Sequence, residues 1–181
     1  MKASTVTKYG APEVIELQDV KKPTVKDNEI LIKIHASSVT SGDARIRRAD
    51  PYIIRLIFGW NKPRKSTLGV VVAGEVEAIG KEVTKFKVGD QIFGSSGMGF
   101  GAHAEYTAVS QDAVLAIKPT NMTYEEAAAI PFGAMSSLHF LRIAKIKPGQ
   151  KVLINGAGGF IGANLVKRFI KAGYQVFYRN M

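Results

Sequence analysis

A chain of 181 residues, 46% hydrophobic and 22% charged, has the composition of a globular protein with one large or two small domains. It holds no cysteine, which excludes disulfides, thiol catalysis and any cysteine-ligated zinc or iron–sulfur centre. Its formal charge of +10 admits an anionic partner, whereas its three histidines, His35, His103 and His139, do not pair at the spacing of metal ligands.

The first 39 residues read as β. Residues 2–8 form a short strand, and residues 14–20 alternate apolar and polar with the period of a half-buried strand. Residues 29–39 alternate again, with Ile30, Ile32 and Ile34 on one face and His35 on the exposed one. Thr40-Ser41-Gly42-Asp43 breaks this strand, and Thr40 or Ser41 is placed to cap a short helix over residues 43–48. Asp50-Pro51 stops that helix.

Residues 51–66 are expected to be a long loop, basic with an apolar tip. Arg45, Arg47, Arg48, Arg55, Lys62, Arg64 and Lys65 crowd this region. Cofactor phosphates, nucleic acid and a membrane surface are the anionic partners such a cluster admits. A solvated face is favoured instead, because no aromatic-interleaved RNA motif accompanies the charges. Neither nucleic acid nor a membrane is therefore expected as a partner. No run of about 20 apolar residues is visible, and the N-terminus lacks the apolar core of a signal peptide, so a cytoplasmic location is expected.

Residues 68–79 are strongly β-prone and carry Gly69 and Gly74, which mark a bend or a close approach of backbones. Strands follow at residues 91–95, 102–109 and 113–118, separated by glycine-rich turns. So many short strands at this spacing indicate a closed or partly closed β-barrel. The period changes at Pro119. Thr123-x-x-Glu126 is a capping box that starts a helix near Tyr124, Pro131 is expected to open a new segment, and residues 132–146 read as a second helix. Lys151–Asn155, a glycine loop, an amphipathic segment and a last apolar run ending at Arg179 make the order strand, loop, helix, strand. Gly156, Gly159 and Gly162 stand where the strand hands over to the helix, the arrangement that cradles the pyrophosphate of a dinucleotide.

Four motifs, in order, resemble the medium-chain dehydrogenase/reductase superfamily. They are Gly69-x4-Gly74-x5-Gly80-x2-Val83; Ser38-Val39-Thr40-Ser41-Gly42-Asp43; Lys87-Val88-Gly89-Asp90-Gln91-Ile92-Phe93-Gly94 with Gly101-Ala102-His103-Ala104-Glu105-Tyr106; and the run 127–138 followed by 147–154. The resemblance implies a mixed α and β chain. A GroES-like β-barrel domain (residues 1–122) precedes the first β-α-β of an incomplete Rossmann fold (residues 123–181). Where zinc-binding members carry a histidine and a glutamate this sequence has Val70 and Val71, and Thr40 takes the place of a ligand cysteine. Valine has no ligating atom, so the match is to the zinc-free branch, with no metal expected.

That branch is similar to NADPH-dependent quinone oxidoreductases and related alcohol dehydrogenase-like reductases, which pass a hydride to a quinone, enone or carbonyl. The resemblance implies catalytic roles for Thr40, Ser136 and Tyr106. Ser136 matches a hydroxyl residue beside the nicotinamide, and His103 shares the strand of Tyr106. Thr40 equally suits a helix cap, and Ser136 a hydroxyl bonded to its own helix backbone. The cofactor is expected against Gly156, Ala157, Gly158, Gly159, Phe160, Ile161, Gly162, Ser136, Arg179 and Asn180. NADP(H) is favoured over NAD(H), because Arg179 and Asn180 stand where an acidic residue would take a ribose hydroxyl.

Two features depart from the family. Phe160 replaces a small residue, and the form GxxGFIG resembles the extended short-chain family, though no Tyr-x3-Lys pair accompanies it. The chain also supplies two of about six Rossmann strands before Met181. It is thus expected to be an N-terminal portion inactive alone, with a homo-oligomer or a missing C-terminal half as partner and weak NADP(H) binding. The alternative is a non-catalytic GroES-like binding or oligomerisation module.

Overall fold

The computed structural model describes residues 1–147, 149–158 and 160–179, and among these two compact units are distinct, Met1–Ser136 and Ser137–Met181. The first begins with β1 (Lys2–Val6) paired antiparallel to β2 (Ile15–Asp19). A five-stranded antiparallel sheet follows, in the order β6-β3-β4-β5-β7. Its strands are β3 (Glu29–Ala36), β4 (Val71–Ile79), β5 (Gln91–Ser95), β6 (Tyr106–Ser110) and β7 (Val114–Ile117). Single bridges from Ala3 to Ala104 and from Thr5 to Thr67 join β1 to the segments around this sheet, which partly closes the barrel. The strand expected over residues 102–109 forms only from Tyr106, because Ala104 is spent on that bridge to Ala3.

β4 is central in sequence and in space. The alternation in β3 sends Ile30 and Ile32 into a core with Val72, Val76, Ile92, Ala102 and Val109, and Ile34 packs at its edge. The opposite face of β4 sends Val71 and Ala73 against Ala127 and Ala128. The strand is thus buried on both sides, which accounts for its near-continuous apolar run. Gly74 has the close approach expected of it: a Cβ there would lie 2.1 Å from the Lys33 carbonyl oxygen. A third cluster, Val6, Val14 and Leu68 with Ile46 beside it, ties β1 to α1 (Ser41–Arg48).

Two expectations need correction. Residues 51–66 are not a plain loop, since they contain a short helix, α2 (Ile54–Phe58). The two helices expected on either side of Pro131 are one, α3 (Tyr124–Ala144), opened by the Thr123/Glu126 capping box. A proline inside a helix removes one backbone bond and crowds the preceding turn. Here Pro131 is buried beyond Ala127 and Ala128, and the packing of this apolar turn keeps the helix continuous. Because it runs through, α3 is the one helix among the described residues long and apolar enough, by length and composition, to cross a membrane. Splitting the run at Pro131 hides this in the sequence.

In the second unit β8 (Lys151–Asn155) pairs in parallel with β9 (Gln175–Arg179), connected through α4 (Phe160–Lys171). Ile154 is buried, while Leu153, Phe177 and Tyr178 are exposed. Two strands and one helix leave much of this apolar surface uncovered.

Candidate active site

Val70 and Val71 lead into β4, and the structure sets a small cavity against them. It measures about 210 Å³. Val70, Val71 and Val114 form one part of its wall, and Pro131, Phe132 and Met135 of α3 form another. Two hydroxyl residues line it, Ser95 at the end of β5 and Ser136 on α3. The arrangement is an apolar slot with two hydroxyls, suited to an uncharged molecule that carries a carbonyl. Ser136 is therefore brought together with the two valines. Its hydroxyl donates to the Phe132 carbonyl oxygen at 2.8 Å, the bond of a helix serine to its own backbone. Ser95 accepts from the Gly97 amide at 3.1 Å. No sequence motif singles Ser95 out; it reaches the cavity because β5 pairs with β4 in the register Val71↔Ser95.

Thr40 and Tyr106 do not line this cavity. Thr40 is buried as the N-cap of α1, within a reciprocal capping box. Its backbone amide and hydroxyl donate to Asp43 Oδ2 at 2.8 and 2.7 Å, and its Oγ1 accepts from the Asp43 amide at 3.3 Å. Asp43 is itself buried, and its Oδ1 accepts from the Gly69 amide at 3.0 Å. This carboxylate joins the cap of α1 to the residue before Val70. The Thr-x-x-Asp spacing would have revealed the cap, but not the bond to Gly69. Tyr106, in a separate cleft, lies under Lys22, whose Nζ is 3.8 Å from the ring centroid. Lys22 is also ion-paired to Glu77, and the hydrogen bond holds the Glu77 carboxyl below its ordinary range and the ammonium above its own. His103 packs beneath Gly69, where a Cβ would meet its ring at 2.5 Å, and its buried Nε2 has no hydrogen-bond partner among the described residues.

The glycine loop of the second unit carries its own constraints. Gly156 has φ +75, and its amide and that of Ala157 donate to the Arg179 carbonyl oxygen at 3.0 and 3.4 Å. The loop is thereby fastened to the end of β9, with Arg179 beside it. A Cβ on Gly162 would fall 2.2 Å from the Gly156 carbonyl oxygen, so the helix backbone rests directly on the loop. The first turn of α4 presents amides that lack intrahelical acceptors. This close approach and these free donors fit the phosphates of a dinucleotide. Gly158 ends the described part of the loop, Gly159 and Asn180 lie outside the described residues, and Phe160 and Ile161 are described only as the opening of α4.

The donor set does not fit zinc. Val70 and Val71 offer no ligating atom, the Thr40 hydroxyl is committed to Asp43, and the sequence has no cysteine. Among the described residues no three histidine, cysteine, aspartate or glutamate side chains converge as a metal ion requires.

Comparison with known proteins gives concordant matches. Residues 26–119 match the model of the alcohol dehydrogenase GroES-like domain. A quinone oxidoreductase of Sus scrofa is 39% identical over 164 residues, covering 90% of this chain and 47% of that protein. An NADPH-dependent alkenal/one oxidoreductase of Arabidopsis thaliana is 30% identical, covering 88% of this chain and 42% of that one. The solved quinone oxidoreductase of Coxiella burnetii superposes with a TM-score of 0.84 at 28% identity, covering 98% of this chain and 56% of its own. The chain spans about half the length of the curated relatives it matches.

Proposed function

This chain belongs to the medium-chain dehydrogenase/reductase superfamily through its alcohol dehydrogenase GroES-like domain, and from that premise we propose that it is part of a zinc-independent, NADPH-dependent reductase of quinones, enones or carbonyls. The observation that carries the reading is the cavity in which Ser136 meets Val70 and Val71, because an apolar slot with hydroxyls and no metal ligands suits a neutral carbonyl acceptor. The quinone and alkenal/one reductases among the relatives support the acceptor class and the choice of NADPH.

When bound, NADPH supplies a hydride from the nicotinamide to an electron-poor carbon. The chain's own residues do the rest. The first turn of α4 and the loop 156–162 would hold the pyrophosphate, and Arg179 would pair with the extra phosphate that distinguishes NADP from NAD. The valines and Phe132 give the acceptor an apolar wall. As the carbon accepts the hydride, its oxygen gains negative charge, and the Ser136 hydroxyl donates to it. For that the hydroxyl leaves the Phe132 carbonyl, an exchange costing about 1 kcal/mol. A donor aimed at such an oxyanion supplies about 2–4 kcal/mol in a dry site; Ser136 and Phe132 are exposed in this chain, so the exchange is favourable once the bound cofactor and acceptor cover them.

Among the described residues the second unit has two paired strands, and we expect the 181-residue chain by itself to bind NADPH weakly and turn over slowly. The test combines millimolar NADPH with a quinone or enone, following cofactor oxidation. Measurable turnover that falls at least roughly tenfold in Ser136→Ala, with unchanged thermal stability, supports the assignment. Unchanged kinetics in that variant removes Ser136 from the mechanism. A second reading, a non-catalytic assembly module, is favoured by the exposed Leu153, Phe177 and Tyr178 of the second unit. A stable oligomer with no response to millimolar NADPH would establish it in place of the enzyme.

A further inference from the structure

The short helix α2 is amphipathic in the wrong direction for a buried element. Ile53 at the N-cap and Leu56 and Ile57 within the helix follow the spacing i, i+3, i+4, and Trp60 lies just past Gly59, whose φ of +128 ends the helix. In a globular protein such a stripe faces the core. Here the four side chains are 59–63% exposed, and Tyr52 beside them is 61% exposed.

The segment that presents them is braced. The Tyr52 and Trp60 rings meet edge to face at 6.3 Å. The Arg55 guanidinium lies over the rings of Tyr9 and Tyr52. The Tyr9 hydroxyl donates to the Gly59 carbonyl oxygen at 2.6 Å, and the Arg64 amide donates to that of Phe58 at 2.6 Å. The stripe is therefore held out by the fold.

The sequence on both sides of it is cationic. Arg45, Arg48, Lys62, Arg64 and Lys65 are exposed, and between Asp50 and Glu75 the sequence has no acidic residue. None of these cations, nor Arg47 or Arg55, takes part in an ion pair among the described residues. A second copy of the chain fits this face poorly, because a two-fold contact would set the cations against cations of the same sign. Nucleic acid would use the cations but not a protruding aliphatic stripe. Exposed aromatic and aliphatic side chains with Lys62, Arg64 and Lys65 on the same segment match the boundary of a lipid bilayer, where the apolar groups enter the acyl region and the cations meet anionic headgroups.

We propose that α2 and its flanks, Tyr52 to Lys65, form a docking surface for an anionic lipid bilayer. This surface revises the sequence-based expectation that the cations are merely a solvated face. It is independent of the proposed reductase activity, and its test reads no turnover.

Trp60 is the only tryptophan in the chain, so its emission reports on this surface directly. The 181-residue chain is mixed with vesicles of phosphatidylcholine containing about 30% phosphatidylserine, and with pure phosphatidylcholine vesicles. Co-sedimentation with the anionic vesicles is expected, together with a shift of the Trp60 emission to shorter wavelength. Binding is expected to be roughly tenfold weaker to pure phosphatidylcholine, and roughly tenfold weaker for the double variant Ile53→Glu/Leu56→Glu. Both of these residues are solvent-exposed, so the variant should melt at the parent temperature. An unchanged Trp60 emission with anionic vesicles overturns the proposal. So does parent-like vesicle binding by the double variant, tighter binding to duplex DNA than to vesicles, or a lipid-free dimer that buries Trp60.

Discussion

Replacing Asp43 by alanine tests how the barrel holds its first helix beside β4. The carboxylate accepts the Thr40 amide at 2.8 Å, the Thr40 hydroxyl at 2.7 Å and the Gly69 amide at 3.0 Å, all out of solvent. Alanine leaves the two amides as buried donors without acceptors, at about 1–3 kcal/mol each, and the capping box is lost for about 1 kcal/mol more. The expected loss is about 3–7 kcal/mol, a large share of the ~5–15 kcal/mol stability of a typical domain. In melting temperature this is a fall of at least about 10 °C for the transition of the first unit, followed by far-ultraviolet circular dichroism. Asp43→Asn keeps one acceptor oxygen but turns an amino group toward a donor, so its loss should fall between parent and alanine. Thr40→Ser keeps both cap bonds and should stay within about 0.5 kcal/mol of the parent. An Asp43→Ala protein within about 1 kcal/mol of the parent would show that the carboxylate is not the tie between α1 and Gly69.

Two further outcomes are expected. Gly162→Val drives a side chain into the Gly156 carbonyl oxygen, 2.2 Å from the Cβ position, so the second unit should lose its cooperative transition and the loop its response to NADPH; an NADPH response matching the parent's would refute the cradle. Because the Lys22 hydrogen bond depresses the Glu77 pKa, the pair's contribution is present above the carboxylate's unfolded value and is lost as pH falls through the depressed folded value. On the basic side it is present below the ordinary lysine value and lost as pH rises through the raised one. Both groups are well exposed, so the stability effect is small, and the clean readout is an NMR titration. Glu77 should titrate low in the parent and near the ordinary glutamate value in Lys22→Ala; equal values in the two proteins would remove the pair.

Much of this protein is legible in the residue order, because the physics that sets it is local. Alternation in residues 29–36 puts Ile30 and Ile32 on one face whatever else the chain does. Thr123 and Glu126 cap α3 from three residues apart, and glycines at 156 and 162 mark where backbones must turn or touch. The valines at 70 and 71 argue against a metal by chemistry alone. Tertiary structure decided the rest. Pro131 stays inside one helix because the turn carrying Ala127 and Ala128 packs against Val71 and Ala73, a contact between residues more than fifty positions apart. Ser95 reaches Ser136 only through the β4–β5 register. Ile53, Leu56 and Ile57 have the spacing of a buried helix face, and pattern cannot say which way such a face points. That depends on what the fold packs behind it, and here the fold braces the helix through Tyr9, Arg55 and Tyr52 and leaves the stripe in solvent.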